Sequence, residues 1–349
     1  MMTTTLHRPE PITRHDACPV ERRNDPRHAA TRLIEGETLV VTDSYRTGAE
    51  ILCQLDLLMP PLGDDASYQD RQSARRAHRA AALRLLAPVR NNRLALNDRR
   101  PNRFLQELYP DLSSFALPVA QVQELFGAWE RYEEGVHLPV LGHRVHPFYG
   151  TYVPTRLAHL ELFGTWLSQY KGPRQRTIDV GTGCGVLALM MCRANFSHVL
   201  ATDTNPNAIE SVTRELRRLP SAPPITPLHT DLLGEGEERF DVIAFNPPWM
   251  YGTVDGLLDR ALYFDDDLFE RFFDRAVERL SDEGRIAIVF SNVMQLVQPD
   301  QPHPILRELD TGRLRLVQTM KRKIKPPPDE HGRRRRTKER VEVWELARA

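Results

Sequence analysis

The chain has 349 residues, is 41% hydrophobic, and balances 47 Lys and Arg against 47 Asp and Glu. That length can bury one large hydrophobic core and a smaller one. The sequence has no apolar run of about 18 residues and no signal-peptide pattern, which argues against a membrane-spanning protein. Its cysteines show no metal-ligand spacing: Cys18, Cys53, Cys184 and Cys192. We therefore predict a cytoplasmic, reduced protein without a metal site.

The first third of the chain carries weak structural signals. Residues 1–32 are polar, with four prolines, and predict a mobile arm. Residues 33–142 predict a mainly helical module, with a strand over 38–42 and helices over 47–58, 69–86 and 119–131. Four arginines of the second helix either form a solvated face or contact nucleic acid: Arg71, Arg75, Arg76 and Arg79.

A segment rich in aromatic residues and glycine follows, from His143 to Arg156, and leads into a predicted helix over 156–170. Tyr149 and Tyr152 of this segment are candidates for contact with a cofactor or target. The alternative is that they pack a seam between the two modules. We expect no metal-ligand role for His143, since no nearby Cys, His or carboxylate completes a metal set.

A glycine turn then joins a short buried strand, residues 177–180, to a helix that starts at about residue 186. Glycines allow a tight turn and let main-chain N–H groups approach a ligand, and the start of a helix adds unpaired N–H donors. The candidate cofactor residues of this turn are Asp179, Gly181, Thr182, Gly183 and Gly185. An isolated Gly-x-Gly-x-Gly is equally compatible with a turn that only closes a βαβ unit.

Two acids follow predicted strands further along the chain. Residues 198–203 read as a strand ending in Asp203, whose carboxylate can accept ribose hydroxyls. A helix opens at Asn205-Pro206 and runs to about residue 218, with proline in the first turn. Residues 225–230 predict a further strand, which contains Pro227 and is followed by Asp231.

Residues 240–245 predict another strand, which runs directly into Asn246-Pro247-Pro248-Trp249. Two consecutive prolines fix φ and leave rigid carbonyls that are free to accept hydrogen bonds. Asn246 adds a side-chain oxygen and Trp249 a flat face, so this loop can hold a planar nitrogen that carries two N–H donors. We assign catalysis to Asn246, Pro247 and Trp249, and substrate binding to the same residues together with Pro248, Tyr149 and Tyr152.

These motifs together resemble the class I methyltransferases that use S-adenosylmethionine (SAM). The resemblance rests on residues 179–185 (D-V-G-T-G-C-G), 202–209 (T-D-T-N-P-N-A-I), 230–233 (T-D-L-L) and 245–249 (F-N-P-P-W). It is greatest to the amino-methylating group with an N-P-P-aromatic motif, which includes release-factor glutamine methyltransferases and enzymes that act on exocyclic amines of RNA or DNA. It covers roughly residues 145–347.

The resemblance implies an α/β fold with a Rossmann-like, seven-stranded sheet whose last hairpin is antiparallel, over residues 143–349. It implies that the three glycines line the methionine and ribose part of SAM and that Asp203 binds the ribose. It also implies that Asp231 lies at the adenine and Asn246 at the point of methyl transfer. By the same resemblance, the module over 33–142 selects the substrate.

The C-terminal strands are predicted over 314–320 and 341–346, joined by a basic loop that begins with Lys321 and ends with Arg340. In the class I layout this loop emerges where cofactor and substrate lie, so it suits phosphates or an acidic protein surface. A solvated hairpin loop is the alternative. We predict a SAM-dependent N-methyltransferase acting on an amide or exocyclic amine of RNA or of a protein glutamine. The alternatives are a metabolite methyltransferase with the N-terminal module as a lid, and a SAM-binding scaffold.

Overall fold

The computed structural model describes residues 5–63, 66–98, 102–154, 156–252, 261–324 and 338–349. The chain divides into two compact units, one of residues 8–131 and the other of residues 1–7 together with 132–349. The division between the units therefore precedes the predicted boundary at residues 142/143.

The unit of residues 8–131 contains a five-stranded sheet. Its strands are β1 (Cys18–Val20), β2 (Leu39–Val41), β3 (Leu85–Arg90), β4 (Arg93–Leu94) and β5 (Ser114–Pro118). The first three strands are parallel, whereas β4 and β5 both pair antiparallel with β3. The helices are α1 (Pro26–Ile34), α2 (Tyr45–Leu58), α3 (Tyr68–Ala82), α4 (Arg103–Leu108) and α5 (Val119–Glu134), the last of which crosses the unit boundary.

Two expectations for this unit are corrected. Residues 18–34 are not a mobile arm: they form β1 and α1, and α1 begins with Pro26 at its first position and Asp25 as its N-cap. The helix expected over 69–86 ends at Ala82, because Leu85 and Leu86 belong to the buried central strand β3. The expected strand over 38–42 and the helices over 47–58 and 119–131 are present as β2, α2 and α5.

The larger unit contains a seven-stranded sheet. Its strands are β8 (Arg176–Val180), β9 (His198–Asp203), β10 (Ile225–His229), β11 (Phe240–Phe245), β14 (Leu280–Ser291), β15 (Leu314–Lys323) and β16 (Arg340–Arg348). The spatial order is β10-β9-β8-β11-β14-β16-β15. All pairings are parallel except those that β16 makes with β14 and β15. The antiparallel last hairpin is therefore present as the resemblance implied.

The remaining elements of this unit are short strands and helices. They are β6 (Val136–Leu138), β7 (His143–Val145), β12 (Met250–Tyr251), β13 (Tyr263–Phe264), α6 (Ala158–Gln169), α7 (Val186–Arg193), α8 (Pro206–Arg218), α9 (Leu268–Arg279), α10 (Val293–Val297) and α11 (Pro304–Asp310). None of the described helices combines the length and apolar character needed to cross a membrane.

The large sheet is buried on both faces. Along β11, Val242 and Ala244 belong to a core that also contains Trp166 of α6, whereas Ile243 and Phe245 face a second core. That second core contains the phenylalanines of α9. Because neighbouring strand residues point to opposite faces, these two cores lie on the two sides of the sheet. Strand β10, which contains Pro227, lies at one edge, where a missing N–H is tolerated.

Candidate functional site

The candidate site lies at the carboxyl ends of three adjacent parallel strands. Strand β8 lies between β9 and β11, with Val180 in register with Thr202 on one side and Phe245 on the other. The glycine turn, Asp203 and Asn246 each follow one of these strands, so they meet at one edge of the sheet. Ligands of open α/β sheets bind at this edge, where the order of the strands reverses.

A cavity of about 420 Å³ opens at this edge. It is lined by two glycines of the turn, Gly181 and Gly183, by Asp179, Asp203 and Asp231, and by residues 246–249, whereas Gly185 is not among the described lining residues. Its volume lies in the range of roughly 300–1,000 Å³ that is usual for sites that hold a small molecule. The structure thus brings together most of the residues that sequence analysis assigned to a cofactor or substrate.

The glycine turn has a backbone shape that requires glycine at its end. Gly185 has φ +82, and its N–H donates to the Thr182 carbonyl at 2.8 Å immediately before α7 begins. A Cβ at Gly185 would lie 3.0 Å from Cγ2 of Val212. Gly183 also has positive φ, +54, and an added Cβ there would lie 3.8 Å from the Tyr152 carbonyl oxygen. Positive φ is costly for residues other than glycine, so both positions preserve the turn.

Asp179 braces this turn from below. Its carboxyl oxygen Oδ2 accepts hydrogen bonds from the Thr182 hydroxyl at 2.7 Å and from the Ala188 N–H at 3.0 Å. Burial raises the pKa of the Asp179 carboxyl to about 7. These contacts support a bracing role, because they tie the end of β8 to the turn and to α7. A direct contact of Asp179 or Thr182 with the cofactor stays a prediction.

Asp203 connects the turn to the beginning of α8. Its two carboxyl oxygens accept hydrogen bonds from the Gly183 N–H at 2.9 Å and from the Asn205 N–H at 2.8 Å. Burial is the main cause that raises the pKa of this carboxyl above its usual range. A carboxylate oxygen has more than one acceptor site, so Asp203 can still accept a hydroxyl from a ligand in the cavity.

Asp231 lines the same cavity but is bound to a surface arginine. Nη1 of Arg271 lies 2.5 Å from Oδ2 of Asp231, and the Asp231 side chain is half-exposed. Arg271 therefore occupies one of the two carboxyl oxygens of Asp231. The adenine contact of Asp231 remains a prediction.

The loop after β11 folds back on itself through Trp249. The indole N–H donates to Oδ1 of Asn246 at 3.2 Å and to the Val289 carbonyl at 3.3 Å. Asn246, Pro247, Pro248 and Trp249 all line the cavity. The indole N–H therefore already donates to the Asn246 side-chain oxygen, which we expected to be free for a substrate. This hydrogen bond is long, because the N–H is shared between two acceptors.

Buried polar side chains of α8 hold the aromatic segment before α6. Asn207, Ser211 and Glu215 lie one turn apart on α8, and all three are buried. The Glu215 carboxylate accepts the backbone N–H of residue 146 at 3.0 Å, and the Ser211 hydroxyl accepts that of residue 148 at 3.0 Å. The Asn207 amide donates to the carbonyl of residue 149 at 2.8 Å. Helix α8 thus fixes where this segment meets the cavity.

The two tyrosines of that segment have different places. Tyr152 lines the cavity, and burial raises the pKa of its hydroxyl. Tyr149 is 7% exposed and packs in the core, so among the described residues it is not part of the cavity lining. The expected substrate contact is therefore supported by position for Tyr152 and not for Tyr149, whose burial fits the alternative of a packing residue.

Several lining residues were missed by sequence analysis, and three of them have ionisable side chains: Arg156, His159 and Glu339. Arg156 donates from Nη1 to both carboxyl oxygens of Glu339, at 3.0 and 3.1 Å. The two residues are far apart in the sequence. His159, in the first turn of α6, is 3% exposed and lies edge-to-face with Trp249, with ring centroids 5.4 Å apart. A polar histidine in the first turn of an apolar helix was the available signal for His159. Glu339 lies within the predicted basic loop, and nothing in the sequence distinguished it from the other charged residues of that loop.

Comparison with known proteins agrees with this geometry. Residues 162–303 match the family model of the methyltransferase small domain. The chain is similar to the tRNA1(Val) (adenine(37)-N6)-methyltransferase of Porphyromonas gingivalis, with 29% identity over 140 residues, which are 37% of this chain and 55% of that protein. The enzyme of the same name from Vibrio campbellii is 30% identical over 134 residues, again 37% and 55%. The chain thus spans about half the length of these relatives.

Two further similarities concern ribosomal protein L11 methyltransferases. The enzyme of Thermotoga neapolitana is 32% identical over 81 residues, 23% of this chain and 30% of that protein. The solved structure of the ribosomal protein L11 methylase from Lactobacillus delbrueckii subsp. bulgaricus covers 57% of this chain and 81% of its own, with 16% identity and a TM-score of 0.40. The family match confirms the resemblance to SAM-dependent methyltransferases that the motifs predicted.

Proposed function

We propose that the chain is a SAM-dependent N-methyltransferase and that its methyl acceptor is the exocyclic amine of an adenine in RNA. The observation that carries this proposal is the position of Asn246-Pro247-Pro248-Trp249, which opens onto the same cavity as the glycine turn and Asp203. The relatives named as tRNA adenine-N6 methyltransferases support adenine as the target over other planar amines.

The residues that line the cavity fit SAM. The turn brings Gly181 and Gly183, which have no side chains, to the cavity beside the start of α7, and Asp203 offers a buried carboxylate to the ribose. Asp231 lies where it can face the adenine amine. When it is bound, SAM supplies a methyl group already activated by a sulfonium. Side-chain chemistry therefore mainly has to align the acceptor nitrogen with that methyl.

Asn246, Pro247 and Trp249 would align the acceptor. An aryl amine is a poor nucleophile because its lone pair is delocalised into the ring. Hydrogen bonds from its two N–H groups to Oδ1 of Asn246 and to the Pro247 carbonyl favour a pyramidal nitrogen. The face of Trp249 would stack on the base and fix its plane. In this arrangement a substrate N–H replaces the long indole hydrogen bond to Asn246.

Two other acceptors are alternatives that the same site accommodates. A protein amide has the same two N–H donors, and relatives named as ribosomal protein L11 methyltransferases favour a protein target. A small metabolite is the third acceptor class, with the unit of residues 8–131 as a lid. For an RNA or protein target we propose that this unit selects the substrate.

The acceptor class can be tested by label transfer. Purified protein is incubated with SAM that carries a tritiated methyl group and with the separated RNA, protein and metabolite fractions of a cell extract. We expect label in RNA, and digestion to nucleosides should place it on N6-methyladenosine. The Asn246→Ala variant serves as the control for contaminating activity. Label confined to protein or metabolites would overturn the RNA proposal while leaving the methyltransferase, and no label in any fraction would overturn both.

The basic loop is proposed to contact RNA phosphates. Residues 325–337, including its arginine run, lie outside the described residues. Three described bases near its ends have acidic partners: Lys321 and Arg340 contact Glu342, and Arg322 contacts Glu161. We propose that phosphate contact comes mainly from the arginine run. If so, the logarithm of RNA affinity should fall steeply with the logarithm of salt concentration, and neutralising Arg333 to Arg336 should flatten that slope.

A further inference from the structure

His159 is a buried base beside the proposed point of methyl transfer, and the mechanism above does not use it. The residue is 3% exposed and lines the cavity together with Asn246 and Trp249. Within the described part of the chain its Nε2 has no hydrogen-bond partner. Buried polar atoms are nearly always paired, so an unpaired acceptor that borders a ligand cavity indicates a partner supplied by the ligand.

The protonation state of His159 leaves Nε2 as the acceptor. The ring is hydrogen-bonded to the backbone of Arg156, and burial lowers its pKa to about 4. The imidazole is therefore neutral at ordinary pH. We assign the contact with the Arg156 backbone to Nδ1–H because Nε2 has no partner, and this assignment places the free lone pair on Nε2.

The contacts of Trp249 bring both acceptors to one ring. The indole N–H is bonded to Asn246, and the indole ring meets His159 edge-to-face at an interplanar angle of 89°. A base that displaces the indole hydrogen bond and stacks on Trp249 would therefore lie in the cavity that both Asn246 and His159 line. The indole N–H is shared between Asn246 and Val289 and both hydrogen bonds are long, so breaking the one to Asn246 costs little free energy.

Methyl transfer leaves a proton that the oxygens of this loop cannot take. The amine nitrogen forms a bond to the methyl carbon while the carbon–sulfur bond breaks, with its electron pair remaining on sulfur. The nitrogen then carries a positive charge and one hydrogen too many. Amide and peptide oxygens are very weak bases, whereas a neutral imidazole nitrogen is a usual proton acceptor. A methylated aryl ammonium is a strong acid, so even a weakened imidazole suffices.

We propose that Nε2 of His159 shares one of the two N–H groups of the target amine with an acceptor of the loop, in a three-centre hydrogen bond, and receives the proton that the amine loses. The proton then passes to water when the product leaves. This inference rests on the proposed N-methyltransferase function. It assigns His159 a catalytic role and leaves orientation to Asn246 and Pro247.

The test compares two substitutions with a matched control. His159→Phe keeps an aromatic ring against Trp249 but has no acceptor, and His159→Ala opens space that free imidazole can fill. The control is His303→Phe, a change at a half-buried histidine that contacts Phe290 and Trp344 and is outside the described cavity lining. Label transfer is measured with whichever fraction of the cell extract the wild type methylates.

We expect His159→Phe to lower kcat by about 100-fold, with SAM affinity and the KM for the acceptor changed by less than about threefold. Imidazole in the buffer should restore at least about a tenth of the activity to His159→Ala, and not to His159→Phe. The control should keep wild-type kcat. Normal turnover by His159→Phe would reduce His159 to a packing residue and overturn the inference while the methyltransferase stands.

A second measurement needs no acceptor. The nitrogen-15 spectrum of the histidine rings of the free protein, at pH 6, should show His159 neutral with hydrogen on Nδ1. Addition of adenosine and S-adenosylhomocysteine should move the Nε2 signal in the direction of a hydrogen-bonded nitrogen. A neutral ring with hydrogen on Nε2 would overturn the inference whether or not an acceptor has been found, because that nitrogen could then accept nothing.

Discussion

The buried imidazole of His159 should make the stability of the protein depend on pH in a way that one substitution removes. The pKa of His159 is lowered from 6.5 to about 4 in the folded protein. The unfolded chain therefore binds a proton between these values where the folded chain does not. Stability from this group is complete above pH 6.5 and is lost as the pH falls towards 4, because protons then favour the unfolded state.

The size of the effect follows from the shift. Each pKa unit corresponds to about 1.4 kcal/mol, so the full shift amounts to about 3 kcal/mol of unfolding free energy. Roughly 2 kcal/mol of this should be lost between pH 7.5 and pH 5. Phenylalanine does not titrate, so the His159→Phe variant should not show this loss of unfolding free energy at low pH. The carboxyl of Asp179, which also titrates near neutral pH, is present in both proteins and cancels in the comparison.

Urea unfolding followed by tryptophan fluorescence measures this difference, since Trp166, Trp249 and Trp344 all lie in the unit that contains His159. The free energy of unfolding of wild type minus that of His159→Phe should fall by about 2 kcal/mol from pH 7.5 to pH 5. The sign at pH 7.5 does not matter, because only the change with pH is diagnostic. Parallel pH curves for the two proteins would refute the neutral, buried imidazole and with it the free Nε2 acceptor.

Further variants test the rest of the site. Asp203→Ala should weaken SAM binding by about 1–3 kcal/mol in isothermal titration, because hydrogen bonds to the carboxylate are lost; unchanged affinity would remove Asp203 from the cofactor site. Asn246→Ala should fold and bind SAM yet transfer methyl at least about 100-fold more slowly, and near-normal turnover would count against an amine held at this loop. Gly185→Ala should destabilise the protein by about 2–4 kcal/mol, from positive φ and from contact with Val212, and more than Gly183→Ala does. In urea unfolding, the loss of stability in the double variant Gly185→Ala/Val212→Ala should be about 1 kcal/mol smaller than the sum of the two single losses, and strict additivity would exclude the contact.

The cofactor half of the site could be predicted from sequence because it depends on local chemistry. The glycine turn lies between a strand and a helix that are contiguous in the chain, and its positive φ values belong to glycines. Asp203 and Asn246 each follow their own strand directly. Parallel strands in one sheet bring their carboxyl ends to one edge, so a correct assignment of strands was enough to bring these residues together.

The N-terminal unit could not be predicted to the same degree because its sheet depends on distant pairing. Strand β3 follows helix α3 after a few residues, and its leucines continue the apolar pattern of that helix. Only pairing with β2 on one side and β5 on the other decides that Leu85 and Leu86 are extended. Strand β1 has only three residues, too few for alternation to register in the sequence, although the equally short β2 was predicted.

The acceptor half of the site shows why motif chemistry alone gave an incomplete mechanism. The motif predicted two independent roles, a hydrogen-bond acceptor at Asn246 and a stacking face at Trp249. In the folded chain the indole N–H is bonded to that acceptor, and the same indole covers a histidine from a helix 90 positions earlier (249 − 159). No spacing rule connects these two segments, because α6 reaches the cavity through packing on β15 and β16. The proposed base for the departing proton therefore emerges only when the two segments are placed together, and the hydrogen bond from Trp249 to Asn246 is then the contact that the substrate must replace.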